Sequence, residues 1–204
     1  MTKNNFEELA GDQSINTAKK ALEENGFKVL VTENNEEALR EALKLIPENT
    51  AVMTATSQTL EVIGLNHEIN ESGRYDAVKP KLMKMDRNTQ HLEMNKMGAA
   101  PEYVIGSVQA VTEDGKILIA SATGSQLASY VYGAINVIWV VSTKKIVSNL
   151  DDGIKRINEY ILPLEDARAL KAYGGHTSLN KILIVNKERP GRITIILVKE
   201  NLGF

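Results

Sequence analysis

The chain has 204 residues, 43% hydrophobic and 25% charged, with a formal net charge of −2. That is enough apolar material for one large domain with its own core, and the lack of a cationic excess argues against nucleic acid as a main partner. There is no cysteine, which excludes disulfides, thiolate metal centres, an iron–sulfur cluster held by this chain and a cysteine nucleophile. The start of the chain is polar and lacks the apolar stretch of a signal peptide. The most apolar run, Ile135 to Val141, is too short to span a bilayer. A cytoplasmic protein without a membrane segment is expected.

In chain order, residues from about Phe6 to Asn25 read as a helix, with Leu9, Ala18, Ala21 and Leu22 as its apolar stripe and Asn25-Gly26 as its stop. A strand follows over Phe27 to Thr32. Asn34 is placed as an N-cap, with Glu37 three residues on. The next helix carries Ala38, Leu39, Ala42, Leu43 and Ile46 at helical spacing and ends before Pro47. Ala51 to Ala55 is a short strand and Ser57 to Leu65 is again helical. This β-α-β-α alternation predicts a parallel sheet covered by helices. Asn66 to Glu102 is more polar and holds four of the six Met, at positions 83, 85, 94 and 97. It reads as helices and loops over one end of the sheet, with the Met filling gaps in a small core, or else as a lid or subunit contact.

The second half opens with a hairpin, Ser107 to Thr112 and Lys116 to Ser121, around the turn residues Asp114-Gly115. Thr123, followed by Gln126, fits a capping box that opens a helix. Ile135 to Val141 reads as a strand buried on both faces. Leu150 to Tyr160 and Glu165 to Ala172 are helices. Lys181 to Val185 and Arg192 to Val198 are the last strands. No repeat or linker is visible, so one domain over 1–204 is expected.

Ligands of open α/β sheets usually sit beyond the carboxyl ends of the strands. Three junctions there carry hydroxyls or positive charge. The first holds Thr56, Ser57 and Thr59. The second holds Thr123, Gly124, Ser125 and Gln126. The third holds Lys144 and Lys145. Free backbone N–H groups and hydroxyls at a helix start attract phosphate or carboxylate, and a Lys adds charge. Capping alone also explains each Ser and Thr. Together the three junctions predict a site for a small anionic metabolite.

Glu113, beside the hairpin turn, is a candidate base or nucleophile if it faces a cleft; turn geometry alone also accounts for Asp114-Gly115. His67, His91 and His176 lie far apart in different elements, so no metal site is expected. There is no Gly-rich dinucleotide fingerprint, Walker loop or nucleophile elbow.

Several segments in order resemble one family. Gly106-Ser107-Val108-Gln109-Ala110-Val111-Thr112-Glu113-Asp114-Gly115 and Ile119-Ala120-Ser121-Ala122-Thr123-Gly124-Ser125-Gln126-Leu127 are similar to the central motifs of the LUD (lactate utilisation, formerly DUF162) domain family. Lys144-Lys145-Ile146-Val147 resembles its nKIV segment and Pro163-Leu164-Glu165-Asp166-Ala167-Arg168 its PLEDxR segment. Val198 to Phe204 resembles its VxExLGF ending, and Thr56 to Leu65 its GSxTLxEIGL motif. The usual Gly before the Ser of that last motif is Thr56 here, which removes the close backbone approach that Gly permits.

The resemblance implies a mostly parallel, Rossmann-like α/β sheet flanked by helices with a β-hairpin extension, the NagB/RpiA/CoA-transferase-like fold of phosphosugar isomerases, CoA transferases and formyltetrahydrofolate cyclo-ligases. It implies a link to oxidation of lactate to pyruvate beside iron–sulfur partner subunits, with no cofactor in this chain. A homodimer, an acyl- or CoA-transferase using Glu113, a phosphosugar-isomerase-like enzyme and a non-catalytic assembly subunit stay open. The last would use Met83 to Met97 as its contact surface.

Overall fold

Apolar strands alternating with amphipathic helices wind the first half of the chain into a parallel sheet, and the hairpin seeds a second sheet against its edge. The computed structural model describes residues 6–204; the polar residues 1–5 lie outside that range. The strands are β1 Lys28–Thr32, β2 Ala51–Thr54, β3 Asp76–Ala77, β4 Tyr103–Gly106, β5 Ala110–Thr112, β6 Ile117–Ser121, β7 Asn136–Ser142, β8 Ile146–Val147, β9 Lys181–Val185 and β10 Ile193–Val198. The α-helices are α1 Asp12–Glu24, α2 Asn35–Lys44, α3 Gln58–Val62, α4 Leu65–Glu71, α5 Val78–Met83, α6 His91–Ala99, α7 Leu150–Arg156 and α8 Leu162–Tyr173. Among the described residues no helix is long and apolar enough to cross a membrane.

Six strands form a sheet in the order β1-β10-β7-β4-β2-β3, and every pairing is parallel. The β-branched run predicted around Trp139 is β7, third strand in from one edge. Its residues 137 to 142 are all buried. Because side chains alternate across a strand, Val137, Trp139 and Val141 join one core with Ile15, Leu22, Ile195 and Leu197. Ile138 and Val140 join another with Ala38, Ala42, Leu60, Ile105 and Ile196. This two-faced burial is why the strand reads as an unbroken apolar run.

The hairpin is confirmed, with Val111 opposite Ile117. It grows into a four-stranded sheet, β8-β5-β6-β9. β5 and β8 continue directly from the carboxyl ends of β4 and β7, so this sheet rises from the edge where ligands are expected. Leu118, Val147, Ile157 and Ile161 form its own core against the helices that follow β8.

Several local expectations shift. The first helix starts at Asp12, behind Gly11, and Leu9 stays outside it. The helix expected from Ser57 to Leu65 is broken at Gly64, whose φ of 76° ends α3 and begins α4. Thr123 does not make a capping box: its Oγ1 accepts from Ser125 N at 3.3 Å, and the chain then runs into a π-turn over Ser129–Gly133. The two helices after β8 are one rod, since a π-turn over Ile157–Ile161 joins α7 to α8 without a loop. β3 and β4 were not anticipated. The Met do not fill a core: α6 buries no residue and Met83 is 79% exposed.

The predicted cap is present. Asn34 Oδ1 accepts from Glu37 N at 2.9 Å, and Glu37 reaches back to Glu33 N at 2.8 Å. Asn34→Ala should therefore lower stability by about 1 kcal/mol in urea unfolding. An unchanged midpoint would mean that the cap contributes nothing.

Candidate functional site

Beyond the carboxyl ends of β2, β4 and β7 lies a cleft of about 450 Å³. Its walls come from the loops after β2 and β6, the start of the hairpin strand after β4, the turn after β7, and α8. Of the predicted residues, Thr56, Ser57, Thr59, Thr123, Ser125, Gln126 and Lys145 line it. Gly124, Lys144 and Glu113 do not.

At the floor is Lys145, only 3% exposed. It sits in a tight turn after β7, and Nζ donates to Thr59 Oγ1 at 3.3 Å, Ser107 Oγ at 3.1 Å and Val108 O at 3.1 Å. All three acceptors are neutral, and among the described residues no carboxylate bonds this amine. Burial pushes the Lys145 ammonium well below its ordinary pKa of 10.5, and the nearby charges of Arg156 and Lys144 push the same way. Arg156 is fully buried behind this floor. Its Nη1 donates to Gln109 O at 2.5 Å, while among the described residues Nε and Nη2 have no hydrogen-bond partner. Burial lowers its pKa from 12.5 to about 10, so it keeps its charge at neutral pH.

Lys144 points elsewhere. Its Nζ donates to Asn201 Oδ1 and Gly203 O, both at 2.6 Å, and lies 5.9 Å from the Tyr160 ring centre. Successive residues of a tight turn face different ways, so one Lys reaches the cleft and its neighbour ties down the segment ending at Phe204. Glu113 is held away from the cleft, accepting from Ser14 Oγ of α1 at 2.5 Å, with its own N–H on Val147 O. The expected general base or nucleophile is thus a hairpin-to-helix clamp. Ser57 Oγ caps α3 at 3.4 Å, and Ser121 Oγ accepts from Gly124 N at 2.8 Å. These loops lead into α3, of five residues, and a π-turn of five, too short for strong dipoles. Any pull of this cleft on anions must therefore come from its cationic side chains rather than from helix dipoles.

Sequence reasoning passed over several lining residues. Ser107 and Gln109 lie in the central motif and Glu165 and Arg168 in PLEDxR, so motif membership was the available signal. Arg168 makes two bonds to Glu165, at 2.8 and 2.5 Å, and this pair is neutral overall. Lys79 of α5 and Arg87 also line the cleft and make no ion pair among the described residues. The cleft of a net-acidic chain therefore holds an uncompensated positive charge. The three histidines lie apart, with His67 beside Glu71, His176 beside Asp166 and His91 beside Asn95.

A family model described as the LUD domain matches residues 15–198 of the chain. The fold is similar to the crystal structure of a DUF162 family protein from Deinococcus radiodurans, with a TM-score of 0.58 at 12% identity over 94% of this chain and 99% of that one. At that identity the likeness speaks for the fold alone. No curated protein matches the chain.

Proposed function

The chain belongs to the LUD domain family, which is associated with lactate utilisation, and from that premise we propose that it binds a small organic anion in the cleft floored by Lys145. The carrying observation is a buried lysine in a cleft whose partners, among the described residues, are all neutral. Holding an ammonium there without a counter-charge is costly, and a carboxylate or phosphate from solution relieves that cost. Thr59, Ser107, Ser57 and Ser125 orient the anion, and Lys79 and Arg87 add charge. The physiological setting is organic-acid metabolism, beside separate iron–sulfur subunits that carry the electrons of lactate oxidation. Glu113 lies outside the cleft, so acyl transfer through it has no support.

The test is a thermal-shift screen of the intact chain with lactate, pyruvate, sugar phosphates, CoA esters and folates, since a ligand of the native state raises the midpoint. An anion that shifts the midpoint supports the reading; none doing so at millimolar concentration rejects it. Binding should also consume a proton. The free amine is pushed toward neutrality by burial, Arg156 and Lys144, and a bound anion favours the ammonium. Affinity should fall by about tenfold per pH unit as pH rises between the free and bound pKa values. Calorimetry in two buffers of different ionisation enthalpy reads that uptake directly, and equal heats in both would count against Lys145 as the partner.

A second reading, an assembly subunit for an iron–sulfur partner, is favoured by the exposed side chains of the Met-bearing segment, Met83 at 79% and Leu92 at 60%. Charge reversals in that segment which leave co-purification of lactate-oxidation subunits intact would remove it.

A further inference from the structure

Three features of Lys145 suit it to chemistry as well as to holding an anion. Its amine lies on the wall of a cleft rather than in a sealed core. Its two side-chain partners are hydroxyls, Thr59 and Ser107, which accept from an ammonium or donate to a neutral amine equally well. Its charged neighbours are the cations Arg156 and Lys144. The acidic residue that shares the cleft, Glu165, is engaged by both nitrogen arms of Arg168. A carboxylate partner would lock the ammonium; hydroxyl partners leave both protonation states open. An amine set beside other cations in a desolvated cleft is the arrangement that makes lysine a nucleophile toward carbonyl carbon.

We propose that Lys145 Nζ condenses with the carbonyl of a 2-oxo acid seated in the cleft to form an imine. This rests on the anion-binding reading, because the acid's carboxylate must be held by the loop hydroxyls and by Lys79 or Arg87 while its C2 faces Nζ. The Nζ lone pair forms the C–N bond, and the carbonyl π pair moves to oxygen, which takes up a proton. Nζ then gives up one of its two hydrogens as a proton, a second proton adds to the oxygen, and that oxygen leaves as water while the nitrogen lone pair forms the second C–N bond. No oxidant or other reactant is consumed. With one proton retained on nitrogen, the iminium restores a positive charge at the floor, where the anion needs it. Covalent and non-covalent binding therefore each take up one proton net and each leave the positive charge on Nζ, although in the covalent case the proton departs within the water. A 2-hydroxy acid, lacking the carbonyl, can use only the non-covalent mode.

Borohydride reduction separates the two. The intact chain is incubated with pyruvate, reduced with cyanoborohydride, digested and mapped by mass spectrometry. One reduced adduct is expected, at Lys145, at least about tenfold above any other lysine, because each unit of pKa depression raises the amine fraction tenfold at neutral pH. Excess lactate should suppress it while forming no adduct itself. Lys145→Arg should lose the adduct, and if that variant does not fold, the wild-type map decides alone. Pyruvate that shifts the melting midpoint but leaves no adduct, or an adduct spread evenly over surface lysines, overturns the imine and leaves anion binding standing. No midpoint shift by any anion, with no adduct, overturns both.

Discussion

Lys145→Met should weaken binding of the cleft's anion by at least about hundredfold, the usual scale for deleting one partner of a desolvated charge contact. Met keeps the unbranched stem and its packing while removing only the charge and its donors, so lost affinity reports the amine rather than a collapsed cleft. The same variant carries a stability signature. Between its depressed folded value and 10.5, Lys145 binds fewer protons in the folded protein than in the unfolded chain. Wild-type stability therefore gains a component that rises with pH through that window, and below the window the whole cost of the buried ammonium is present. Met has no proton to lose. The stability difference between the two proteins should favour Met most at and below the folded value and shift toward wild type as pH approaches 10.5. Urea unfolding at several pH values measures it, and a difference independent of pH would show that Lys145 keeps an ordinary pKa.

Gly106→Ala should cost about 3 kcal/mol, at the upper end of overpacking effects. Gly106 closes β4 against Tyr130, and a Cβ there would lie 1.6 Å from the Tyr130 hydroxyl oxygen and 3.2 Å from Ala55 Cβ. Tyr130 cannot step aside. It is buried, and its ring stands edge-on to Trp139 with centroids 5.4 Å apart. Since Ser107, the next residue, holds Lys145, the strain should reach the floor of the cleft and weaken anion binding as well. Removing the obstructing oxygen tests the cause: Gly106→Ala combined with Tyr130→Phe should recover part of the lost stability, a coupling that a double-mutant cycle reads. Strictly additive effects would place the cost elsewhere.

What could be read from the sequence was whatever has a local chemical signature. The β-branched run around Trp139, the Asn34 cap and the Asp114-Gly115 turn each follow from their own side chains, and each is where it was expected. β4 is a short apolar run behind a polar segment and makes sense only as the partner of β2 and β7. The π-turn at 157–161 has no residue code, because an i to i+5 bond depends on what packs around it. In the site, the loops after β2 and β6 and Lys145 were legible because strand ends carrying hydroxyls and charge are visible in sequence. Which of two adjacent lysines enters the cleft was not, since that depends on the rotation of one tight turn. Arg156 was missed for a similar reason. Nothing local marks an arginine on an otherwise ordinary helix as buried behind the floor.

The strand order has a consequence in time. β10 lies between β1 and β7, so β1 meets its partner only across a long loop, with Thr32 bonding Leu197, 165 residues away. At ribosomal rates of about 5–20 residues per second, β1 waits roughly 10–30 s with its pairing edge open. During that wait β7, buried on both faces in the finished sheet, also lacks one neighbour. Completion of the sheet is thus a late event in synthesis. The yield of native protein should depend on how well the cell shields those two edges until β10 emerges, and slower translation or depletion of holding chaperones should show first as insoluble chain rather than as lost activity per folded molecule.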